Sequence, residues 1–184
     1  RPQLIPCRIQ VAELHARMDP DLFAERLYTL GMLYACRVDL GSGDTRVPAL
    51  IVIERNHWSG QAAIRWLIDK RYPNLYRRRE MTQVKGAKPR LEYGFVTNYE
   101  SRRMVLDQFG AMVREGTSGV LLGDTVREMR TFVQDASGKY QAQEGLHDDR
   151  VLSYGLALEA ERWHRHSPTG APRPIARKDS PTGV

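Results

Sequence analysis

An uninterrupted apolar run from Ala49 to Ile53, closed by Glu54, is the feature that most restricts the fold of this chain. Runs of this kind are typical of strands buried on both faces, as in parallel sheets that helices cover. In open α/β sheets, binding and catalytic sites lie at the carboxyl ends of the strands. The run therefore predicts a buried strand with Glu54 at a candidate site.

Segments with helical periodicity precede and follow this strand along the chain. Four segments have apolar residues at helical spacing: one begins at Asp19–Pro20, and the others span about 60–71, 98–114 and 148–163. Together with the strand, they indicate the α/β class. The remaining expected elements are a strand over 7–17, a short edge strand at 75–77, an irregular loop over 81–95, a short helix capped by Asp124, and a hairpin over 131–142.

The length of 184 residues fits one domain, which we expect over residues 1–163. Residues 164–184 are rich in Pro and Gly without periodicity, which predicts a disordered tail. No apolar run approaches the roughly 18 residues of a membrane helix. The first residues lack the apolar stretch of a signal peptide, so we expect no membrane association and a cytoplasmic location.

Two adjacent carboxylates, Asp148 and Asp149, follow His147 and open the last predicted helix. Adjacent carboxylates repel each other, and a divalent cation is the simplest way to stabilise them at the edge of a core. A helix cap next to a surface acid is the alternative interpretation. For Glu54, the corresponding alternative is an ion pair with Arg55 or Lys70. The metal hypothesis requires Glu54 and the Asp pair to meet in space.

Positive charge is concentrated between Lys70 and Arg90, where eight basic residues accompany a single acid, Glu80. Tyr72 and Tyr76 are interleaved with them, within a chain whose net charge is +6. Such a cluster indicates a polyanionic partner, most simply nucleic acid. A solvated basic loop is the alternative.

Six short stretches, taken in their order along residues 9–163, resemble one known family. Each is weak alone, and their order and spacing make the match specific. The chain resembles the C-terminal nuclease domain of the large terminase subunit of tailed bacteriophages. The matching stretches are Gln10–Glu13, Asp19–Ala24, Leu50–Asn56 with Gly60, Tyr72–Tyr76, Thr131–Val133 and Gly145–Val151.

This resemblance implies an RNase H-like fold, in which helices flank a mixed sheet and a β-hairpin precedes the last helix. It also implies an endonuclease that cuts double-stranded DNA during genome packaging, by hydrolysis at two Mg²⁺ or Mn²⁺ ions. The terminase small subunit and the portal protein are the implied protein partners. The implied location is the cytoplasm of the bacterial host.

The resemblance also assigns roles to individual residues. Glu54 matches the acid on the second strand of the family, and Asp148 and Asp149 match its acidic pair, so these three are the expected catalytic residues and metal ligands. His147 would orient a carboxylate or a phosphate without binding the metal. The hairpin turn over 135–138 would lie beside the site. The expected DNA contacts are Arg77, Arg78, Arg79, Lys85, Lys88 and Arg102.

One part of the family pattern is absent from this sequence. The family carries a further Asp on a first strand, upstream of the stretch that begins at Gln10. We therefore expect a fragment, a first strand supplied by another chain, or a prophage remnant. The alternative function is a non-catalytic DNA-binding or interaction module. A different RNase H-like enzyme, such as a resolvase or transposase, is a third hypothesis.

Overall fold

A computed structural model of the chain describes residues 8–39, 44–80, 90–134 and 140–166. These residues form a mixed α/β fold, as the sequence pattern predicts. The helices are α1 (Pro20–Leu33), α2 (Trp58–Asp69), α3 (Tyr99–Arg114), α4 (Gly123–Arg130) and α5 (Asp149–His166). The strands are β1 (Cys36–Asp39), β2 (Asp44–Val47), β3 (Arg77–Glu80), β4 (Arg90–Tyr93), β5 (Phe132–Gln134) and β6 (Tyr140–Ala142).

The six strands form three two-stranded antiparallel sheets, β1–β2, β3–β4 and β5–β6. The β5–β6 pair confirms the predicted hairpin before the last helix, although its turn over 135–139 lies outside the described residues. The β1–β2 pair was not predicted. Its residues are largely polar or charged, and its register pairs Asp39 with Asp44. Residues 40–43 lie outside the described part of the chain.

Two predictions of local structure are wrong, one of a strand and one of a loop. The strand expected over 7–17 reduces to a single parallel bridge between Ile9 and Gly119, since the side chains of residues 8–15 bind helices α4 and α5 instead. The loop expected over 81–95 contains strand β4, which pairs with β3 and places Glu92 opposite Arg78. Opposite charges on facing residues favour such a pairing. Residues 81–89 lie outside the described part.

The apolar run Ala49–Ile53 belongs to an extended central segment, residues 49–55. Ile51 pairs in parallel with Leu75, and its N–H donates to the Asn74 carbonyl at 3.0 Å. Glu54 pairs in parallel with Phe95, whose N–H donates to the Ile53 carbonyl at 2.8 Å. Both partners lie on the same edge of the central segment. The predicted buried strand is therefore reduced to an extended segment with two isolated parallel bridges.

The opposite edge of the central segment has no such partners. The backbone groups of Leu50, Val52 and Glu54 point to this edge, and they make no backbone hydrogen bond to any other residue in the described ranges. Edges of this kind present N–H and C=O groups that can pair with another strand. Among the described residues, the central segment is therefore open on the side of these three residues.

Two helical layers enclose the central segment. Ile51 and Ile53 pack on the α1–α2 side with Ala24, Ala63 and Leu67. Leu50 and Val52 contact the opposite cluster, in which Phe95 packs against α3 and α5 through Val105, Leu152 and Leu156. Side chains alternate between the faces of an extended chain. Glu54 therefore shares its face with Leu50, Val52 and the two helices α3 and α5.

Helix α3 begins with a capping box. The Asn98 side chain accepts from the Ser101 N–H at 2.8 Å, and the Ser101 hydroxyl accepts from the Asn98 N–H at 2.9 Å. This reciprocal arrangement satisfies two donors that a helix start otherwise leaves free. The helix ends before Gly116, which adopts a left-handed φ of 67° as predicted from its type. In α4, by contrast, Leu122 occupies the cap position and Asp124 lies inside the first turn.

Candidate active site

A pocket of about 670 Å³ opens between the end of the central segment, the start of α3 and the start of α5. Glu54 and Asp148, which are distant in sequence, both line it. The structure therefore brings together the two carboxylates on which the metal hypothesis depends. The other lining residues are Thr97, Asn98, Tyr99, Arg102, Arg103, Leu106, Tyr140 and Gln141.

Glu54 owes its position to close packing of the chain on both sides. Phe95 pairs with it on the sheet edge, and Gly60 in the first turn of α2 lies directly above its carbonyl group. A Cβ atom at Gly60 would lie 1.9 Å from the Glu54 carbonyl oxygen. Only glycine allows helix α2 to begin this close to the strand end.

Asn56 connects the Glu54 loop to the start of α3. Its side-chain oxygen accepts from the Thr97 N–H at 2.8 Å, and its amide nitrogen donates to the Thr97 carbonyl. The side chain of Asn56 thus continues the pairing between Glu54 and Phe95 where the strand itself has ended. This contact ties the two rims of the pocket together.

Asp148 lies inside the pocket and forms an ion pair with Arg102. Both side chains are mostly buried, so the pair is less screened by solvent than a surface pair. Arg102 was predicted as a DNA contact, and the structure places it in the pocket with its guanidinium on Asp148. One pocket carboxylate is therefore already balanced by a protein cation.

Asp149 lies away from Asp148. Its side chain is 66% exposed, and its Oδ2 atom is 3.6 Å from the Nε2 atom of His15. Neither Asp149 nor the exposed His147 lines the pocket. The expected acidic pair is thus divided between the pocket and the surface, because consecutive residues at a helix start point in different directions.

A network of charges holds the start of α5 in place. The Glu128 carboxylate accepts from the backbone N–H of Arg150 at 2.8 Å and from that of Val151 at 3.3 Å. The Arg150 guanidinium donates to Glu128 at 2.7 Å and also to Glu13. Burial acts to raise the pKa of Glu13, but the hydrogen bonds from Thr125 and Arg150 and the charge of Arg150 outweigh it, so the pKa is lowered. This network was not predicted, since its members are widely separated in sequence.

The pocket offers oxygen ligands for one hard cation. Mg²⁺ and Mn²⁺ prefer carboxylate oxygens, and water commonly completes the Mg²⁺ shell. Glu54 and Asp148 fit this chemistry as a pair. Over the described ranges, however, no group of three or more His, Cys, Asp or Glu side chains is close enough to hold a metal. A site for two ions therefore has no third carboxylate among these residues.

The predicted DNA contacts fall in different places. The Arg77 guanidinium lies 5.4 Å from the centre of the Tyr93 ring, and that of Arg78 lies 5.8 Å from the Phe95 ring. Phe95 pairs with Glu54, so the β3–β4 hairpin begins and ends beside the strand that carries the pocket carboxylate. Arg79 lies on β3, whereas Lys85 and Lys88 fall outside the described residues.

The pocket also contains functional candidates that the sequence did not suggest. Tyr99 and Arg103 come from the first turns of α3, and Tyr140 and Gln141 come from β6. The predicted hairpin thus contributes a strand to the wall of the site. The run from Asn98 to Arg103, with a cap followed by two arginines, was the one available signal for the α3 residues.

Comparison of the chain with protein-family models, with curated proteins and with solved structures finds no match. No helix within the described ranges is long and apolar enough to cross a membrane.

Proposed function

We propose that this chain is the metal-dependent endonuclease domain of a phage terminase large subunit, which cuts double-stranded DNA during genome packaging. The observation that carries the proposal is the convergence of Glu54 and Asp148 on one pocket. The ordered motifs independently suggest these two residues as metal ligands. The proposal includes an RNase H-like fold, for which the parallel central segment and the β5–β6 hairpin before α5 are the support.

In this proposal, the pocket carboxylates bind the metal and the arginines bind the phosphates. Glu54 and Asp148 would hold Mg²⁺ or Mn²⁺, which would activate water and neutralise charge on the phosphate. Arg102 and Arg103 would bind phosphate oxygens, and Arg77 and Arg78 would hold the DNA backbone. Arg102 contacts Asp148 in the free protein, so it would exchange one anion for another when DNA binds. The two-ion chemistry of the family would need further ligands, since Asp149 lies outside the pocket. The proposed partners are the terminase small subunit and the portal protein, in the host cytoplasm.

Plasmid cleavage tests the proposal. Supercoiled plasmid incubated with Mn²⁺ or Mg²⁺ should be cut by the wild type, and Glu54→Gln or Asp148→Asn should abolish cutting. Asp69→Asn, which changes an exposed carboxylate at the end of α2, should cut at the wild-type rate. Cleavage that persists in both pocket variants would overturn the proposal.

Metal binding can be measured without reference to activity. Free Mn²⁺ gives an EPR signal that decreases when the ion binds protein. We expect the wild type to reduce this signal and Glu54→Gln and Asp148→Asn to reduce it less, because each removes an anionic oxygen ligand. Equal Mn²⁺ binding by all three proteins would show that the pocket carboxylates are not the ligands.

A non-catalytic DNA-binding module is the second candidate. The ion pair between Arg102 and Asp148, together with the outward position of Asp149, favours it, since only Glu54 is left as an unbalanced pocket carboxylate. This candidate expects DNA binding that weakens steeply with salt and no cleavage with either metal. Fluorescence anisotropy at two salt concentrations, run beside the plasmid assay, separates the two candidates.

A further inference from the structure

Two exposed aromatic side chains belong to the helix starts near the pocket: Tyr99 lines it, and Trp58 begins α2, whose Gly60 lies against the Glu54 carbonyl. Trp58 is 65% exposed and Tyr99 is 53% exposed. Rings of this size normally bury most of their surface. Neither packs into one of the three hydrophobic clusters that the described residues form. Their exposed faces are therefore available to a ligand with a flat, apolar face.

The positions of the two rings are set by the same contacts that build the site. Trp58 is the first residue of α2 and Tyr99 is the first residue of α3. The hydrogen bonds between Asn56 and Thr97 join the loops that precede these helices. The start of α2 is thus held against the Glu54 carbonyl at Gly60, and the start of α3 lines the pocket that Glu54 also lines.

Trp58 is also supported from its own loop. The His57 ring lies 5.6 Å from the Trp58 ring, centre to centre, and the His57 Nδ1 atom is 3.0 Å from the Ser59 hydroxyl. This contact gives the exposed indole a neighbour that restricts its rotation. A ring that is held while exposed loses little entropy when a ligand stacks on it.

Positive charge adjoins Tyr99. This ring shares the pocket wall with Arg102, whose guanidinium pairs with Asp148, and with Arg103, whose Nε atom lies 3.5 Å from an Asp107 oxygen. Aromatic faces beside basic side chains are the usual means of binding single-stranded nucleic acid, in which bases stack on the rings and phosphates meet the charges. A base-paired duplex hides its base faces inside the stack, so it cannot use such a surface.

We propose that Trp58 and Tyr99 stack on unpaired bases, so that DNA engages the pocket with a locally unpaired strand. This inference rests on the proposed function and specifies its substrate. Arg102 and Arg103 hold the phosphates of that strand beside Glu54, while the basic hairpin β3–β4 holds the neighbouring duplex.

Anisotropy with three labelled DNAs of one sequence tests the inference: a single strand, a blunt duplex, and a duplex with a central unpaired bubble. The wild type should bind the single strand and the bubble more tightly than the duplex. Trp58→Ala and Tyr99→Ala should each weaken binding of these two DNAs by about tenfold or more, since base–aromatic stacking contributes on this scale. Both should leave duplex affinity unchanged.

Three further variants make the test specific. Trp58→Phe retains a ring and should recover much of the lost affinity. Tyr34→Ala removes an exposed aromatic at the end of α1 and should bind all three DNAs as the wild type does. Tyr99→Leu retains apolar bulk at the first position of α3 and replaces Tyr99→Ala if that variant fails to fold, as judged by circular dichroism.

The outcomes separate this inference from the proposed function. If the wild type cuts plasmid but Trp58→Ala and Tyr99→Ala bind all three DNAs normally, or weaken all three equally, the inference is overturned while the nuclease remains. Trp58 and Tyr99 would then be assigned to contact with a protein partner. If the wild type binds none of the DNAs and cuts no plasmid, both are overturned.

Discussion

At the scale of single residues, Arg150 shows how one side chain can organise a site that it does not line. Its guanidinium binds Glu13 and Glu128, and its Nη2 atom is 3.7 Å from an Asp124 oxygen. Arginine can serve several carboxylates at once because its donors lie in a planar fork. The residue stands directly after Asp148 and Asp149, so this network sets the direction in which α5 begins.

Glu13→Gln tests the network through pH. The pKa of Glu13 is lowered in the folded chain from an ordinary value of 4.5. Its contribution to stability is therefore present above pH 4.5 and is lost as the pH falls through the lowered value. We expect the variant to be less stable by about 1–2 kcal/mol at pH 7, and the difference to vanish in acid. Urea unfolding at a series of pH values measures it.

Glu25→Gln provides the matched control for this experiment. Glu25 is exposed on α1, so removing its charge should change the free energy of unfolding little at either pH. A Glu13→Gln variant with the same deficit at pH 7 and at pH 3 would show that charge is not the source of the effect.

At the scale of elements, the pocket depends on how closely α2 and α3 begin to the central segment. Gly60 allows the first approach, and the hydrogen bonds of Asn56 with Thr97 fix the second. Helical periodicity identified both helices from the sequence, since it is a local property. Periodicity could not indicate how close α2 and α3 lie to the end of the central segment, because that distance results from contacts between segments distant along the chain.

Gly60→Ala tests the first approach. The new methyl group would meet the Glu54 carbonyl oxygen, a backbone atom that cannot rotate away, so α2 must shift from the strand end. We expect a loss of about 1–3 kcal/mol in the free energy of unfolding, together with reduced cleavage. Thermal or urea unfolding and the plasmid assay measure the two effects.

Gly123→Ala is the control, because nothing lies within 4 Å of a Cβ atom at that position and its φ is ordinary. This variant should be as stable as the wild type or slightly more stable. Equal stability of the Gly60 and Gly123 variants would contradict the close contact at the strand end.

At the scale of the whole molecule, each of the three hydrophobic clusters contains or contacts one tyrosine with a raised pKa. These are Tyr72 beside α1 and α2, Tyr76 beside α3 and α5, and Tyr154 beside α3 and α4. In each of them, burial is the first cause of the raised pKa. Ionisation of these phenols would charge all parts of the core, so the whole fold should weaken in alkali.

Tyr72→Phe tests this for the group with the largest effect. Burial, with a smaller contribution from Tyr28, raises the pKa of Tyr72 from 10.0 to about 12. The folded state disfavours the ionised phenol, so stability is unaffected below pH 10. As the pH rises from 10 through about 12, the free energy of unfolding should fall by roughly 3 kcal/mol. The variant should lose about 1 kcal/mol at pH 8, since the hydroxyl donates to the Ala49 carbonyl at 2.6 Å.

The measurement is the free energy of unfolding at intervals from pH 8 to pH 12. The wild type should fall more steeply than Tyr72→Phe above pH 10, so that it loses its lead and the two curves cross before pH 12. Parallel curves over the whole range would show that Tyr72 does not titrate between the folded and unfolded states in this way.

Local patterns in the sequence were sufficient for part of this structure. The helix that begins at Pro20, the capped helix that begins at Tyr99, and the hairpin before α5 were all expected from spacing and residue type. The apolar run identified the central segment. In each case the determining interactions lie within a few turns or between adjacent strands, so a short stretch of sequence contains them. Strands β1, β2 and β4 were missed because each spans only four residues, which is too short for a period of two to be recognised.

Only the tertiary structure decided which of the predicted residues meet. Packing of α3 and α5 on one face of the central segment brings Asp148 to Glu54 and places Arg102 on Asp148. Arg150, in the first turn of α5, binds Glu13, and the neighbouring Asp149 lies outside the pocket, beside His15. Residue types in the sequence therefore determined the chemistry available, whereas long-range packing determined that one carboxylate of the pair enters the pocket and the other does not.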